Sequence, residues 1–357
     1  MIAIVLGTRP EIVKLYPLIL LLKKKRINFK VIHTGQHYSK NLNDIFFDNF
    51  KEFRIDFNLK VGSHSNSKQT ALMMTGIEKI LLRHKFKALI VYGDTNSSLA
   101  GAMVASKFRN ITLVHLEAGL RSFETKMPEE TNRVLIDHIS DLLLTPTKLA
   151  SSFLIKENIK KEKILFVGNL IKDTLKHVQN KIGTNQILKR LKLFSNKYFL
   201  VTIHREENLK QLSRLKWILN SLNETFDYFK LPIIFSCHPH TLKIIKKNKF
   251  KINENITLLQ SLNYFDFLSL LKNSKLIISD SGGIQEESCI LKKRMITIRS
   301  NTERQETLKI GCNTLVQHDE QIVNSIKRQL KRKIVWSNPY GSGNVSKKII
   351  KVLKKIR

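Results

Sequence analysis

Short, uninterrupted apolar runs recur along this chain, each about one helix away from the next. They read IAIVL at Ile2–Leu6, ALIVY at Ala88–Tyr92 and TLVHL at Thr112–Leu116, with shorter runs at Lys30–His33, Leu142–Leu144 and Ile164–Val167. A strand with one wet face would alternate polar and apolar residues. A continuous run is buried on both faces, and a parallel sheet covered by helices on either side provides that burial. The segments between the runs have helical spacing. One spans Pro10 to about Lys24 and opens with a proline, where a missing N–H costs nothing. Another spans Gln69 to about His84, with apolar residues three and four apart. These features predict a doubly wound α/β domain.

The pattern then restarts, with runs at Tyr198–Ile203, Pro232–Ser236, Ile256–Leu259, Leu276–Ser279 and Met295–Ile298. Two α/β domains are expected, residues 1–168 and 169–344, meeting near the stretch FVGNLIKDTLK around Gly168–Asp173. The tail VSKKIIKVLKKIR, residues 345–357, reads as a basic amphipathic helix with Val345, Ile349, Ile350, Val352, Leu353 and Ile356 as its stripe. Such a helix can lie on a membrane or pack back on its own protein, and the second is the commoner use. No apolar run nears the ~20 residues a spanning helix needs. No basic n-region precedes the first strand, so no secretory leader is expected. Cys237, Cys289 and Cys312 lack metal-ligand spacing and read as reduced thiols of a cytoplasmic protein.

The formal charge is +33, from 62 Lys and Arg against 29 Asp and Glu. That balance suits anionic partners. The basic residues are spread over the whole chain, however, without the aromatic interleaving of an RNA-binding surface. The sequence is also crowded with Lys, Asn and Ile, as compositional drift would make it. A nucleic-acid partner and stable membrane insertion are therefore not expected.

In open α/β sheets ligands bind at the carboxyl ends of the strands. In the first half those ends carry Arg9 with Lys14 one turn on, His33, Asp94 and Glu117, followed by MPEETNR with Glu129 and Glu130. Each has a plainer reading alone: Asp94 as a helix cap, Glu129 and Glu130 as complements to a helix dipole, His33 as a core histidine. Together they place carboxylates beside cations at the ends of apolar strands, where isolated charges would be costly. That combination suits acid/base chemistry on an anionic substrate. In the second half, HREEN ends one strand at His204, and CHPH ends another at His238 and His240. SDSGGIQEES runs from a strand through Ser281, Gly282 and Gly283 into a helix, a phosphate-binding arrangement with Glu286 and Glu287 one turn inside. The expected ligand is a nucleotide-diphospho compound in a cleft between the two domains.

The motifs GTRPEIVK, HTGQHY, GDTNSSLAGA, HLEAGLRS, MPEETNRVLIDHISD, HREEN, SDSGGIQEES and TERQETL occur in that order over nearly the whole chain. In this the sequence resembles the non-hydrolysing UDP-N-acetylglucosamine 2-epimerases. The resemblance implies a GT-B fold of two Rossmann-like domains, a UDP-sugar substrate, a homodimer, and no metal or other cofactor. It implies Asp94, Glu117 and Glu129 as catalytic carboxylates, with Lys14 and His204 near sugar and diphosphate. Arg9, Ser281, Gly282 and Gly283 match phosphate contacts, Glu287 the ribose contact, and Tyr264 and Phe267 the uracil site. Arg133 matches a family arginine of open role.

Gln36 and His238 match an allosteric site of bacterial members, but Ser39 and Lys68 depart from that site's usual glutamine and arginine. Gln305 replaces a usual proline and Ser342 a common aspartate. A related UDP-sugar such as a diacetamido uronate is the nearest rival substrate. A glycosyltransferase of the same fold is a more distant reading.

Overall fold

The computed structural model describes residues 1–36, 53–260, 262–317 and 321–356. The chain divides into two compact units, Met1–His177 with Pro339–Arg357, and Val178–Asn338.

The described strands of the first unit are β1 (Ile2–Leu6), β2 (Phe29–His33), β3 (Phe57–Asn58), β4 (Ala88–Tyr92), β5 (Thr112–Leu116), β6 (Leu142–Thr145) and β7 (Ile164–Phe166), in the order β3-β2-β1-β4-β5-β6-β7. Every pairing among them is parallel. β1 and β4 are buried throughout, as a sheet covered on both faces requires. The edge strand β3 was not legible, because two residues carry no periodicity.

The second unit holds β8 (Phe199–Thr202), β9 (Ile233–Cys237), β10 (Ile256–Gln260), β11 (Leu276–Ser279), β12 (Met295–Ile298) and β13 (Asn313–Val316), ordered β10-β9-β8-β11-β12-β13 and again parallel. The edge strand β13 escaped notice because it opens on Asn313 and Thr314. The two sheet orders both reverse direction beside the first strand of their unit, the crossover that opens a ligand crevice in such sheets.

The first unit runs past the Gly168–Asp173 stretch. The helix Ile171–Gly183 begins packed within it, with Leu170 and Ile171 buried and the Thr174 hydroxyl donating to the Val13 carbonyl at 2.9 Å. The return segment likewise starts at Pro339, before the tail helix. Tyr340 is fully buried and its carbonyl accepts from the Asn169 N–H. The helix Val345–Leu353 then packs on the helix Arg9–Lys24, with Val345, Ile349, Ile350 and Leu353 buried. Val352, assigned to the same stripe from sequence, is only partly covered. Asp173 holds the start of this helix, accepting from the Val345 and Ser346 N–H groups and the Ser346 hydroxyl at 3.2, 2.8 and 2.8 Å. Among the described residues no helix is long and apolar enough to cross a membrane.

Gly168 is the hinge of this return. Its φ is +98°, and a Cβ there would lie 2.7 Å from the Tyr340 carbonyl oxygen. Gly168→Ala therefore combines a left-handed backbone with a backbone clash. It should cost roughly 2–4 kcal/mol, seen as a fall in the urea midpoint.

Candidate active site

In the first unit the parallel register sets the site. Tyr92 pairs with Leu116, so Gly93-Asp94 and Glu117 leave adjacent strands side by side. Glu117 has a left-handed backbone, φ +69°. That conformation is uncommon for a residue with a side chain, and such strain gathers at functional sites. Both Glu117 carboxylate oxygens accept from Lys14 Nζ at 3.0 Å, and both side chains are buried. Lys14 also lies over the Tyr92 ring, 5.3 Å from its centre. A small cavity with room for roughly one water is lined by Tyr92, Glu117, Pro146, Asn169 and Ile349 among others.

Asp94 is more open. Its Oδ2 takes Arg133 Nε at 2.9 Å and the Arg133 terminal nitrogen at 2.6 Å. The same guanidinium pairs with Glu130. Glu130 accepts the Ser122 and Phe123 N–H groups at 3.0 and 2.8 Å, so it shapes the loop that enters the helix Pro128–Ile139. Arg133 is thus a bridge between two carboxylates. Glu129 stands exposed on the first turn of that helix, outside the buried network.

The turn GTRPE is organised by Glu11, which sequence reasoning did not single out. One oxygen of its buried carboxylate accepts from the Gly7 N–H, the Thr8 N–H and the Thr8 hydroxyl at 2.9, 2.7 and 2.8 Å. The other accepts from Thr95 and Ser98 at 2.9 and 3.2 Å. Burial pushes this carboxyl above its ordinary value, and the hydrogen bonds from Gly7, Thr8 and Thr95 pull it back. The available signal was the capping-box spacing of Thr8 and Glu11. Gly7 is required by crowding: a Cβ would meet the Ser97 and Thr34 hydroxyls at 2.0 and 2.2 Å. Arg9, on the first turn beyond, is half-buried. His33 is buried at the end of β2, and that burial lowers its pKa.

In the second unit Ser279 pairs with Thr202, which brings Asp280 beside the strand exit that carries His204. Asp280 is fully buried. It accepts from the His204 and Arg205 N–H groups at 3.0 and 2.9 Å and from Asn208 Nδ2 at 2.9 Å. Burial alone would raise its pKa, but His204, Asn208 and the Arg205 amide hold it below the ordinary value. His204 Nδ1 faces Asp280 Oδ1 at 3.0 Å, and the ring is about half exposed. An ionised Asp280 fixes the Nδ1–H form and leaves Nε2 outward, the division of labour of an oriented histidine. Asp280 was read from sequence only as part of a turn.

Ser281 caps the helix Gly282–Ile290, and the space beside Gly283 is open within 4 Å. Backbone N–H groups there can meet an anion. Glu287 accepts from the Tyr264 hydroxyl at 2.8 Å; burial, then the Glu287 charge, lifts that phenol well above its usual range. Phe267 packs against the apolar cluster of Tyr198, Leu200 and Leu270.

The two residues proposed for regulation lie in different units. Gln36 accepts at its side-chain oxygen from the Ser97 hydroxyl at 2.7 Å, and His238 caps the helix Pro239–Lys247, accepting from the His240 N–H at 3.2 Å. Ser39 lies outside the described residues. Among the described residues no group of three or more His, Cys, Asp or Glu could hold a metal ion.

A family profile described as UDP-N-acetylglucosamine 2-epimerase matches residues 21–354. The sequence is 44% identical to the UDP-N-acetylglucosamine 2-epimerase of Methanocaldococcus jannaschii, over 99% of this chain and 98% of that protein. It is 32% identical to the UDP-2,3-diacetamido-2,3-dideoxy-D-glucuronate 2-epimerase of Pseudomonas aeruginosa, over 99% of each. The crystal structure of the M. jannaschii UDP-GlcNAc 2-epimerase in complex with UDP-GlcNAc and UDP superposes with a TM-score of 0.91 at 43% identity, covering 99% of both chains. The architecture is α/β of the GT-B type.

The geometry around Asp280 yields a stability prediction. Asp280→Asn turns one acceptor into a donor facing N–H groups and should cost about 2–3 kcal/mol at neutral pH by urea titration. Asp280 has a folded pKa below its ordinary 3.8. Its contribution is therefore complete above the unfolded value and lost as pH falls through the folded one. The gap between wild type and variant should narrow below about pH 4.

Proposed function

The chain belongs to the UDP-N-acetylglucosamine 2-epimerase family, and on that premise we propose that it inverts C2 of UDP-GlcNAc reversibly, giving UDP-ManNAc. The observation that carries this reading is the pair of strand-end carboxylates, Asp94 and Glu117, each set against its own cation, Arg133 and Lys14. The C2 proton has no adjoining carbonyl and is not acidic, so direct abstraction is unfavourable. Elimination solves the problem. The C1–O bond to UDP breaks with its electron pair going to the diphosphate, a carboxylate takes the C2 proton, and a 2-acetamidoglucal remains bound. UDP then adds back at C1 while a second acid delivers a proton to C2 from the opposite face. The non-hydrolysing course follows from UDP being retained for re-addition.

Asp94, Glu117 and Glu129 are the acid/base candidates, Glu129 being accessible to a substrate from its exposed turn. Lys14 stabilises charge near the breaking bond, and His204, oriented by Asp280, meets the diphosphate with its outer nitrogen. Arg9 and the N–H groups at Ser281, Gly282 and Gly283 hold phosphate. Glu287 takes the ribose, and Tyr264 and Phe267 flank the uracil. The product would feed cell-surface polysaccharide synthesis. A second reading, the same inversion on the diacetamido uronate, is favoured by the P. aeruginosa relative and by the excess of cations in this chain.

UDP-GlcNAc incubated with the protein in D2O should gain deuterium at C2 as UDP-ManNAc appears. Binding of UDP-GlcNAc without either change would sink the proposal. A competing assay on the diacetamido uronate ranks the two substrates by kcat/KM. Asp94→Asn should lower kcat by roughly 10²–10⁴-fold while UDP affinity holds; loss of UDP binding instead would mean that Asp94 serves the nucleotide.

A further inference from the structure

His115 sits in β5, two residues before Glu117, and has no part in the chemistry just described. It is fully buried. Its Nδ1 lies 2.7 Å from Asp137 Oδ1, and its Nε2 lies 2.9 Å from the Gly93 carbonyl oxygen. A carbonyl only accepts, and so does an ionised carboxylate. Asp137 is the acceptor of this pair, since its other oxygen accepts from the Arg121 guanidinium at 2.7 Å and the Gly119 N–H at 3.1 Å. With an acceptor at each ring nitrogen, both nitrogens must carry hydrogen. The charge balance agrees. Arg121 binds Asp137 at 2.7 Å and the partly exposed Glu157 at 2.6 Å, so two carboxylates surround one arginine, and a charged His115 makes the group neutral.

We propose that His115 is a positioning residue, a buried imidazolium that clamps the Gly93–Asp94 turn to Asp137 on the helix Pro128–Ile139. Gly93 is gripped at both ends of its peptide groups. Its N–H donates to the Leu116 carbonyl at 3.0 Å and its carbonyl accepts from His115. The next residue, Asp94, has its own carbonyl held by Asn132 at 2.9 Å and its carboxylate held by Arg133. Asn132, Arg133 and Asp137 all belong to that one helix. A neutral ring could donate only one of the two bonds and would release either the turn or the helix. The assignment rests on Asp94 acting at C2, as proposed above, because its effect on turnover passes through that carboxylate.

The test is ¹⁵N NMR of the histidine-labelled full chain at pH 8, with His115→Gln to assign the signal. The expected result is one buried ring with both nitrogens protonated, absent in the variant. Folded His115→Gln should lose roughly tenfold or more in kcat, since small misplacements of a reacting group are costly. Its KM and UDP affinity should stay within about twofold, because uniform binding is untouched. A neutral ring, or unchanged kcat in a folded variant, overturns the proposal. If His115→Gln does not fold, neutron diffraction of wild-type crystals reads the same two protons without a variant. A wild-type protein lacking epimerase activity would defeat the functional reading while leaving the ring's charge state to be scored by itself.

Discussion

Parallel strand pairing is the constraint on which both units depend. It needs a crossover helix after nearly every strand, and it aligns all strand exits along one edge of the sheet. The register then decides which side chains meet. Tyr92 opposite Leu116 makes Asp94 and Glu117 neighbours, and Ser279 opposite Thr202 makes Asp280 and His204 neighbours. A slip of one residue in either pairing would send these groups to opposite faces. The grouping of these side chains is therefore a by-product of how the apolar runs align, and burial of those runs is what holds the alignment.

Charge is handled locally despite the large positive total. Lys14 meets Glu117, Arg133 meets Asp94 and Glu130, and Arg121 meets Asp137 and Glu157. In the second unit Arg299 pairs with Glu303, and Arg304 with Glu286. Buried ions are tolerable when compensated in this way, although such pairs add little to stability over apolar packing. What they provide is geometry. Arg133 and His115 each grip two elements at once, so removing either frees more than one backbone segment. The surplus lysines lie elsewhere, many of them exposed, such as Lys347 and Lys351 on the helix Val345–Leu353 and Lys354 and Lys355 just beyond it.

Most of the sheet was legible because double-sided burial writes itself into sequence as unbroken apolar runs. The two missed strands fail that condition: β3 is two residues long and β13 begins with polar side chains. Candidate residues at strand ends were legible for the same reason, since a charge directly after such a run has few places to go. The supporting residues were not. Asp137 and Asp280 act by accepting hydrogen bonds from segments distant in sequence, and no local pattern announces that; Glu11 offered only its capping-box spacing with Thr8. Glu129 and Glu130 show the limit well. Adjacent and chemically identical in sequence, they differ in the structure, one exposed and the other buried against Arg133 and Ser122.

The return of residues 339–357 to the first unit has a consequence for how the chain is made. Domains tend to fold as units while synthesis proceeds from the amino terminus. Here the apolar surface of the helix Arg9–Lys24 awaits a partner helix, Val345–Leu353, that is translated only after the whole second unit. The first unit is thus completed only after the second has been made, and the second can form its own sheet while the first is still open. Nascent chains halted before residue 339 would expose that unfilled face, which makes them natural clients for a chaperone on the ribosome.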